Sequence, residues 1–520
     1  MAQRPQFFLT TAIPYANGAP HIGHAYERIA CDAIQRFKRL DGYDVFFLTG
    51  MDEHGQKVQQ TSAKQGLEPQ AFVDGIAAQF DAMGVALNTR TDDILRTTQA
   101  RHKAGTQELW RRMQANGDVY LSKYSGFYSV RDEAYFDEAE LTTASDGKRL
   151  APSGAPVEWV EEESYFFKLS AWSDRLLALY ESQPDFVTPD KYRNEIVAFV
   201  KRGLSDLSIS RTTFNWGIPV PGDPKHVMYV WVDALANYLT ATGFPDPQSP
   251  RARFWPADAH VIGKDITRFH AIYWPAFLMS AGLPVHRQVV VHGFLFNRGE
   301  KMSKSVGNVI DPFTLASHYG VDQMRYFLLR EVPFGQDGNY SHEAIVARIN
   351  ADLANDLGNL AQRSLSMLNK NFEAHLPVPQ QFSAADLAIM AEADGLLAKV
   401  RAALAGFQLH SALADIWRVV AEANRYFAGE EPWKNKADLP RMGTILYVTA
   451  EVLRNIAILV QPVMPDSMAK LLDCLAVSAD CRDFAHLGAE HRLVAGTMLP
   501  PPAPIFPRYV DAAGPVPGTP

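Results

Sequence analysis

A chain of 520 residues with 47% hydrophobic and 21% charged side chains is too long for one core and too apolar for disorder or fibre, and it reads as about three or four globular domains. Its net charge of −8 means that a nucleic-acid partner must meet a local basic patch, because no overall positive field exists to attract one. Cys31, Cys474 and Cys481 are its only cysteines, and without close pairing they argue against both a disulfide framework and a cysteine zinc site.

The first residues lack the basic start and apolar run of a signal peptide, and no stretch reaches about 18 uninterrupted apolar residues. A cytosolic location is the expectation. Gln6-Phe7-Phe8-Leu9-Thr10-Thr11-Ala12 then reads as a strand and residues 14–20 as a loop rich in helix breakers. From His24 onward the pattern is helical, with Ile29, Ala33, Phe37 and Leu40 on one face, and Asp44-Val45-Phe46-Phe47-Leu48 supplies a second strand. This βαβ order predicts a parallel sheet with ligands beyond the carboxyl ends of its strands. Neither a G-x-G-x-x-G fingerprint nor a G-x-x-x-x-G-K-[ST] loop is present, so another phosphate device is needed.

Pro20-His21-Ile22-Gly23-His24 provides one. His21 and His24 stand three apart at a helix start, so both rings project from one side of the first turn, and Gly23 leaves room for close approach. Taken alone, such a pair is more often a cap plus a packed ring. A second motif, Lys301-Met302-Ser303-Lys304-Ser305, sets two lysines on a loop flanked by Gly299 and Gly307, where they can neutralise developing phosphate charge. Taken alone, a short lysine run is a solvated turn. No nucleophile elbow and no cysteine close to the histidines suggests covalent catalysis.

These two motifs, with Thr49-Gly50-Met51-Asp52-Glu53-His54-Gly55 and Tyr229-Val230-Trp231-Val232-Asp233 in order between them, resemble the class I aminoacyl-tRNA synthetases, specifically the methionyl-tRNA synthetase family, over nearly the whole chain. The resemblance implies an α/β fold: a Rossmann-type parallel-sheet catalytic domain split by a connective insertion, then an all-α helical bundle that binds the anticodon. It implies activation of methionine with ATP and Mg²⁺ and transfer to the 3′ end of methionine tRNA, initiator tRNA included. His21, Gly23, His24, Lys301 and Lys304 match the ATP and catalytic positions, and Asp265 matches a nucleotide-binding one. Ile13, Tyr15, Trp231, Ala234, Leu235, Tyr238, Ile266, His270 and Trp274 match the methionine pocket, and Asp52 the contact to its α-ammonium. Aromatic and aliphatic walls suit a polarisable thioether, toward which His270 and Tyr15 could turn polar hydrogens. Leu235 stands where the family often has proline. Without the resemblance, Trp231, Leu235 and Tyr238 would read as a core stripe.

The implied organisation is a first catalytic half over 1–115, a connective insertion over 116–215, a second half over 216–290, the lysine-loop and stem-contact region over 291–349, the helical domain over 350–470, and a C-terminal segment over 471–520 in which Pro504-Ile505-Phe506-Pro507-Arg508 packs back. Many relatives carry zinc knuckles in the insertion. Here Ser129 and Asp132, with Ala151 and Ser153, stand at the ligand positions, so no structural zinc is expected. The insertion is too short for the editing domain of the isoleucine, valine and leucine enzymes. A long helix is predicted over Asn350 to Asn371, with Asn355, Asn359 and Arg363 on one polar stripe, and these match anticodon-reading positions. Asn424-Arg425-Tyr426-Phe427 and Glu431-Pro432-Trp433-Lys434 follow, with Pro432 and Trp433 matching further anticodon contacts and Trp433 able to stack on an unpaired base. A monomer is expected. Three rivals share some of these features: a small-molecule nucleotidyltransferase, a synthetase for cysteine or a branched amino acid, and a non-catalytic tRNA-binding relative.

Overall fold

The computed structural model describes residues 4–132, 134–144, 146–302, 309–435 and 437–510. Continuous apolar runs such as Phe7-Phe8-Leu9 and Val45-Phe46-Phe47-Leu48 mark strands covered on both faces. They form β1 (Gln6–Thr10) and β2 (Asp44–Met51), joined by helix α1 (Ile22–Leu40). Ile29, Ala33 and Phe37 lie on the buried face of α1 as its periodicity predicts. With β3 (Asp93–Arg96) these strands make half of a six-stranded parallel sheet, continued across β1 by Ala259–Gly263, Val289–His292 and Val187–Thr188. The chain order reverses between β1 and Ala259–Gly263, so a crevice opens there at the carboxyl ends of the strands.

Between the halves, an antiparallel sheet pairs Val119–Ser129 with Glu158–Phe167 and with Ala134–Phe136. The segment expected as an insertion is not wholly separate from the catalytic sheet, because Val187–Thr188 supplies its edge strand. A hairpin then pairs Leu295–Asn297 with Glu300–Lys301, while Gly338–Tyr340 lies parallel on its other side.

Helices from Asn359–Asn371 to Pro465–Cys474 build a bundle around Leu439–Val460. That central helix is long and apolar enough to cross a membrane by composition, yet Met442 to Val460 are all buried among their neighbours. The single long helix expected over Asn350 to Asn371 is instead a π-helix over Ile349–Gly358 that passes into an α-helix over Asn359–Asn371. Wider turns shift the phase of the stripe, which a period of 3.6 could not anticipate.

One continuous apolar core runs from Phe7 and α1 into this bundle. At the joint lies Arg325, fully buried. It donates to Asp32 Oδ2 of α1 at 2.6 Å and to the backbone carbonyls of Leu87, Pro462 and Val463 at 3.2, 2.9 and 2.8 Å. A buried guanidinium is tolerated only when its donors are met in this way. The C-terminal segment returns along the bundle, with Ile505 and Phe506 buried and the Tyr509 amide donating to Asn350 Oδ1 at 2.8 Å.

Candidate active site

The two histidines cap α1. The Gly23 amide donates to His21 Nδ1 at 3.1 Å and the His21 amide to His24 Nδ1 at 3.2 Å, a reciprocal capping box built from imidazoles. Their rings stack at 3.8 Å with 20° between planes. Because each Nδ1 accepts a backbone proton, a neutral ring carries its own hydrogen on Nε2, and both Nε2–H donors belong to the positive end of a 19-residue helix. A Cβ at position 23 would come within 3.0 Å of the His21 ring, so the glycine keeps this stack compact. The Ile22 amide donates to Ile310 O at 3.1 Å, which brings the chain just beyond the lysine motif to this helix start. Ser303 to Asn308, Lys304 included, and the Lys301 side chain lie outside the described residues.

Beside the cap, Pro14 and Asp52 join their loops through backbone bonds, the Asp52 amide donating to Pro14 O at 2.9 Å and the Ala16 amide to Asp52 O at 2.8 Å. Tyr15 and Asp52 thereby face one another as a parallel bridge. Ile13 packs so closely on Gly50 that a Cβ there would meet its Cγ2 at 2.8 Å.

The opposite wall is the helix Val230–Thr240 with the turn Lys264–Tyr273. Trp231 is partly exposed and stacks on Phe269 at 3.7 Å and 5°. Ala234, Leu235 and Tyr238 are buried, and Trp274 is wholly buried behind Tyr238 with ring centroids 6.4 Å apart. The stripe is therefore core on its inner side and wall on its outer one. His270 departs from expectation. Its Nδ1 faces Ile266 O at 3.0 Å and its Nε2 faces the Tyr238 hydroxyl at 2.8 Å, so the ring hydrogen is spent on a carbonyl and Tyr238 donates to Nε2. Burial outweighs the carbonyl bond and pulls this imidazole down to about 4, so it is neutral. Asp265 is exposed, and a Cβ on Gly263 would meet its Oδ1 at 2.8 Å.

Two buried polar links were not singled out from sequence. Asp233 bridges His54 Nδ1 at 2.6 Å and His102 Nε2 at 2.7 Å, fixing the pocket helix to the turn that carries Asp52. Burial alone would raise this carboxyl, but the two imidazoles overcome it and hold it at about 2. Glu27 accepts from the Ala12 amide at 2.8 Å and faces His292 Nε2 at 2.9 Å, joining the two halves of the sheet. Burial raises the Glu27 carboxyl above its ordinary range, and the Glu27 and Gly293 oxygens raise His292 against the pull of burial. The signals were there: Glu27 follows His24 by three residues on one helix face, and His292 ends an apolar strand run at its carboxyl end.

In the bundle, Asn355, Asn359 and Arg363 are all exposed. The Arg363 guanidinium lies 5.0 Å from the Trp433 ring and 5.2 Å from Phe427. Pro432 is buried and Trp433 half-buried. The preceding element does not present itself to a ligand as expected: Phe427 is core, Tyr426 donates to Asp386 at 2.6 Å, and Asn424 donates to backbone carbonyls. In the knuckle, Ser129 donates to Asp132 Oδ2 at 2.9 Å and Ser153 donates to the same oxygen.

The sequence model of tRNA synthetases class I (M) matches residues 7–365, and that of the anticodon binding domain of methionyl tRNA ligase matches residues 376–513. A methionine–tRNA ligase of Mesorhizobium japonicum is 62% identical over 512 residues, covering 98% of this chain and 99% of the relative. That of Mycobacterium tuberculosis is 58% identical over 510 residues, covering 97% and 98%. A solved structure, Mycobacterium tuberculosis methionyl-tRNA synthetase in complex with methionyl-adenylate, superposes with a TM-score of 0.95 at 57% identity, covering 97% of this chain and all of that one.

Proposed function

The chain belongs to the class I methionyl-tRNA synthetases, and on that premise we propose how its residues join methionine to its tRNA. The methionine carboxylate attacks the α-phosphate of ATP; a carboxylate–phosphate bond forms, pyrophosphate leaves, and methionyl-adenylate results. A hydroxyl at the 3′ end of the tRNA then attacks the methionyl carbonyl and AMP leaves. The first step needs no general base, since the carboxylate is already ionised at neutral pH, so positioning and charge stabilisation dominate.

The observation that carries this reading is that two adjacent strands at the switch point of the sheet lead into the two segments concerned: β1 to the helix-capping histidine pair, and Ala259–Gly263 to the turn that holds the neutral His270. His21 and His24 direct Nε2–H donors at the phosphates, Gly23 allows their approach, and Lys301 and Lys304 neutralise the pyrophosphate as it departs. Asp265 serves the nucleotide. Asp52 meets the α-ammonium, while Ile13, Tyr15, Trp231, Ala234, Leu235, Tyr238, Ile266 and His270 surround the thioether, with Trp274 backing them. A neutral His270 suits an uncharged sulfur, and Tyr238 can turn its hydroxyl from His270 to it. Magnesium enters with the substrate, chelated by ATP oxygens. Among the described residues no group of three or more His, Cys, Asp or Glu side chains could hold a metal ion, and the hydroxyl and carboxylate donors of the knuckle are poor zinc ligands.

Asn355, Asn359, Arg363, Pro432 and Trp433 read the anticodon, Trp433 by stacking on a base as Arg363 moves to its edge. The domain divisions drawn from sequence, with the Val187–Thr188 edge strand returned to the catalytic sheet, a cytosolic monomer, and service of initiator as well as other methionine tRNA complete the reading. ATP–pyrophosphate exchange with each amino acid in turn, without tRNA, tests it: methionine alone should support exchange, and exchange with cysteine or a branched amino acid would overturn it.

A further inference from the structure

Arg28 stands one helical turn beyond His24 on the same face of α1, and the mechanism above leaves it idle. It is only 7% exposed. With Thr11, Pro14, His24, Glu27 and Thr49 it lines a cleft of about 20 Å³ at the carboxyl ends of β1 and β2, room for one oxygen-sized group. Its Nε is buried with no hydrogen-bond partner, and among the described residues no carboxylate pairs with it.

The neighbouring acids are engaged elsewhere or distant. Asp32 spends Oδ1 on Gln35 and the Arg90 amide and Oδ2 on Arg36 and Arg325. Glu27 is held by the Ala12 amide and His292. Asp81 is exposed and acts on Arg28 only through space. The helix Pro69–Ala86 nonetheless makes room for this charge: a Cβ on Gly84 would fall 2.8 Å from Arg28 Nη2. A guanidinium nitrogen buried without a partner destabilises the resting protein, and such a group is retained where a ligand brings the partner.

We propose that Arg28 is a substrate-binding residue whose guanidinium takes an oxygen of the ATP phosphate chain beside His24. The choice of phosphate over the methionine carboxylate follows from the walls of the cleft, which include His24 of the phosphate pair but not Trp231, Ala234 or Tyr238 of the amino-acid pocket. The inference rests on the functional reading above and adds a cation that no motif names.

The test measures ATP–pyrophosphate exchange, without tRNA, and apparent Tm for the full-length wild type, Arg28→Met and Arg28→Lys. Arg28→Met should keep or raise the Tm while kcat/KM for ATP falls roughly 100-fold, the cost of one pre-placed donor to a reacting oxyanion, with the methionine KM unchanged. Arg28→Lys should recover part of the rate. Exchange by Arg28→Met at the wild-type rate would overturn the proposal, as would a loss carried by the methionine KM. A fall in Tm together with activity that lysine does not restore would make Arg28 a packing residue and overturn it too. Wild-type protein without methionine-dependent exchange would instead overturn the functional reading itself.

Discussion

Replacing Asp233 by asparagine removes a carboxylate that ties the pocket helix to the Asp52 turn. Each carboxylate oxygen receives one imidazole N–H, at 2.6 Å from His54 and 2.7 Å from His102. Asparagine keeps one acceptor but presents its NH₂ to the other ring, so one charge-assisted bond worth about 1.5–3 kcal/mol is lost and a buried donor is orphaned at a similar cost. Breaking a buried pair from one side typically costs about 3–5 kcal/mol. The acid–base linkage gives an independent figure. The carboxyl falls from its ordinary 3.8 to about 2 in the folded chain, which is on the order of 2 kcal/mol. Because the folded pKa is the lower one, this stability is present above about pH 3.8 and is lost as pH falls through about 2. Asp233→Asn should therefore unfold several degrees early and lose part of the acid-induced decline. Since Trp231, Ala234 and Tyr238 ride on the same helix, its methionine KM should rise about tenfold for each ~1.4 kcal/mol of lost positioning, with the ATP KM little changed. Urea unfolding at several pH values and exchange kinetics in both substrates measure these effects. A wild-type midpoint, or equal changes in both KM values, would refute the reasoning.

Trp433→Ala should lower kcat/KM for tRNA charging by about 10- to 100-fold, the worth of one stacked base, and leave tRNA-free exchange intact; loss of both would assign Trp433 to the fold. Leu453→Ala, at a fully buried position of Leu439–Val460, should cost about 2–5 kcal/mol in denaturant unfolding, and a smaller loss would mean that the bundle closes around the cavity. Asp132→Ala removes the common acceptor of Ser129 and Ser153, and hydrogen exchange should show faster opening of the knuckle with methionine activation unchanged. Unaltered protection there would show that the cluster does not hold the knuckle.

Much of the fold is legible locally. The apolar runs of β1 and β2 and the single-faced periodicity of α1 specify a parallel βαβ unit without help from distant residues. The His21, Gly23 and His24 cap is legible for the same reason, because its bonds close within three residues. What was not legible depends on partners far apart in sequence. Asp233 acquires its role from His54 and His102, more than 130 positions away. His270 has its hydrogen claimed by the Ile266 carbonyl and its Nε2 lone pair by the Tyr238 hydroxyl, which a motif does not record. Tyr426 gives its hydroxyl to Asp386, 40 positions away, and the π-helix before Asn359 departs from the 3.6-residue period by which a helix is read.

Arg325 meets the helical half through carbonyl oxygens, those of Pro462 and Val463, and the catalytic half through Asp32 and two further carbonyls, those of Leu87 and Asn88. Every residue type offers a carbonyl, so the joint asks for a path of the main chain and not for particular side chains at 87, 462 and 463. This contact therefore selects no side chain at 462 or 463, while Asp32 and Arg325 must change together or not at all. A foreign bundle grafted onto this catalytic half would have to reproduce the course of that one turn as well as the apolar face that packs on α1.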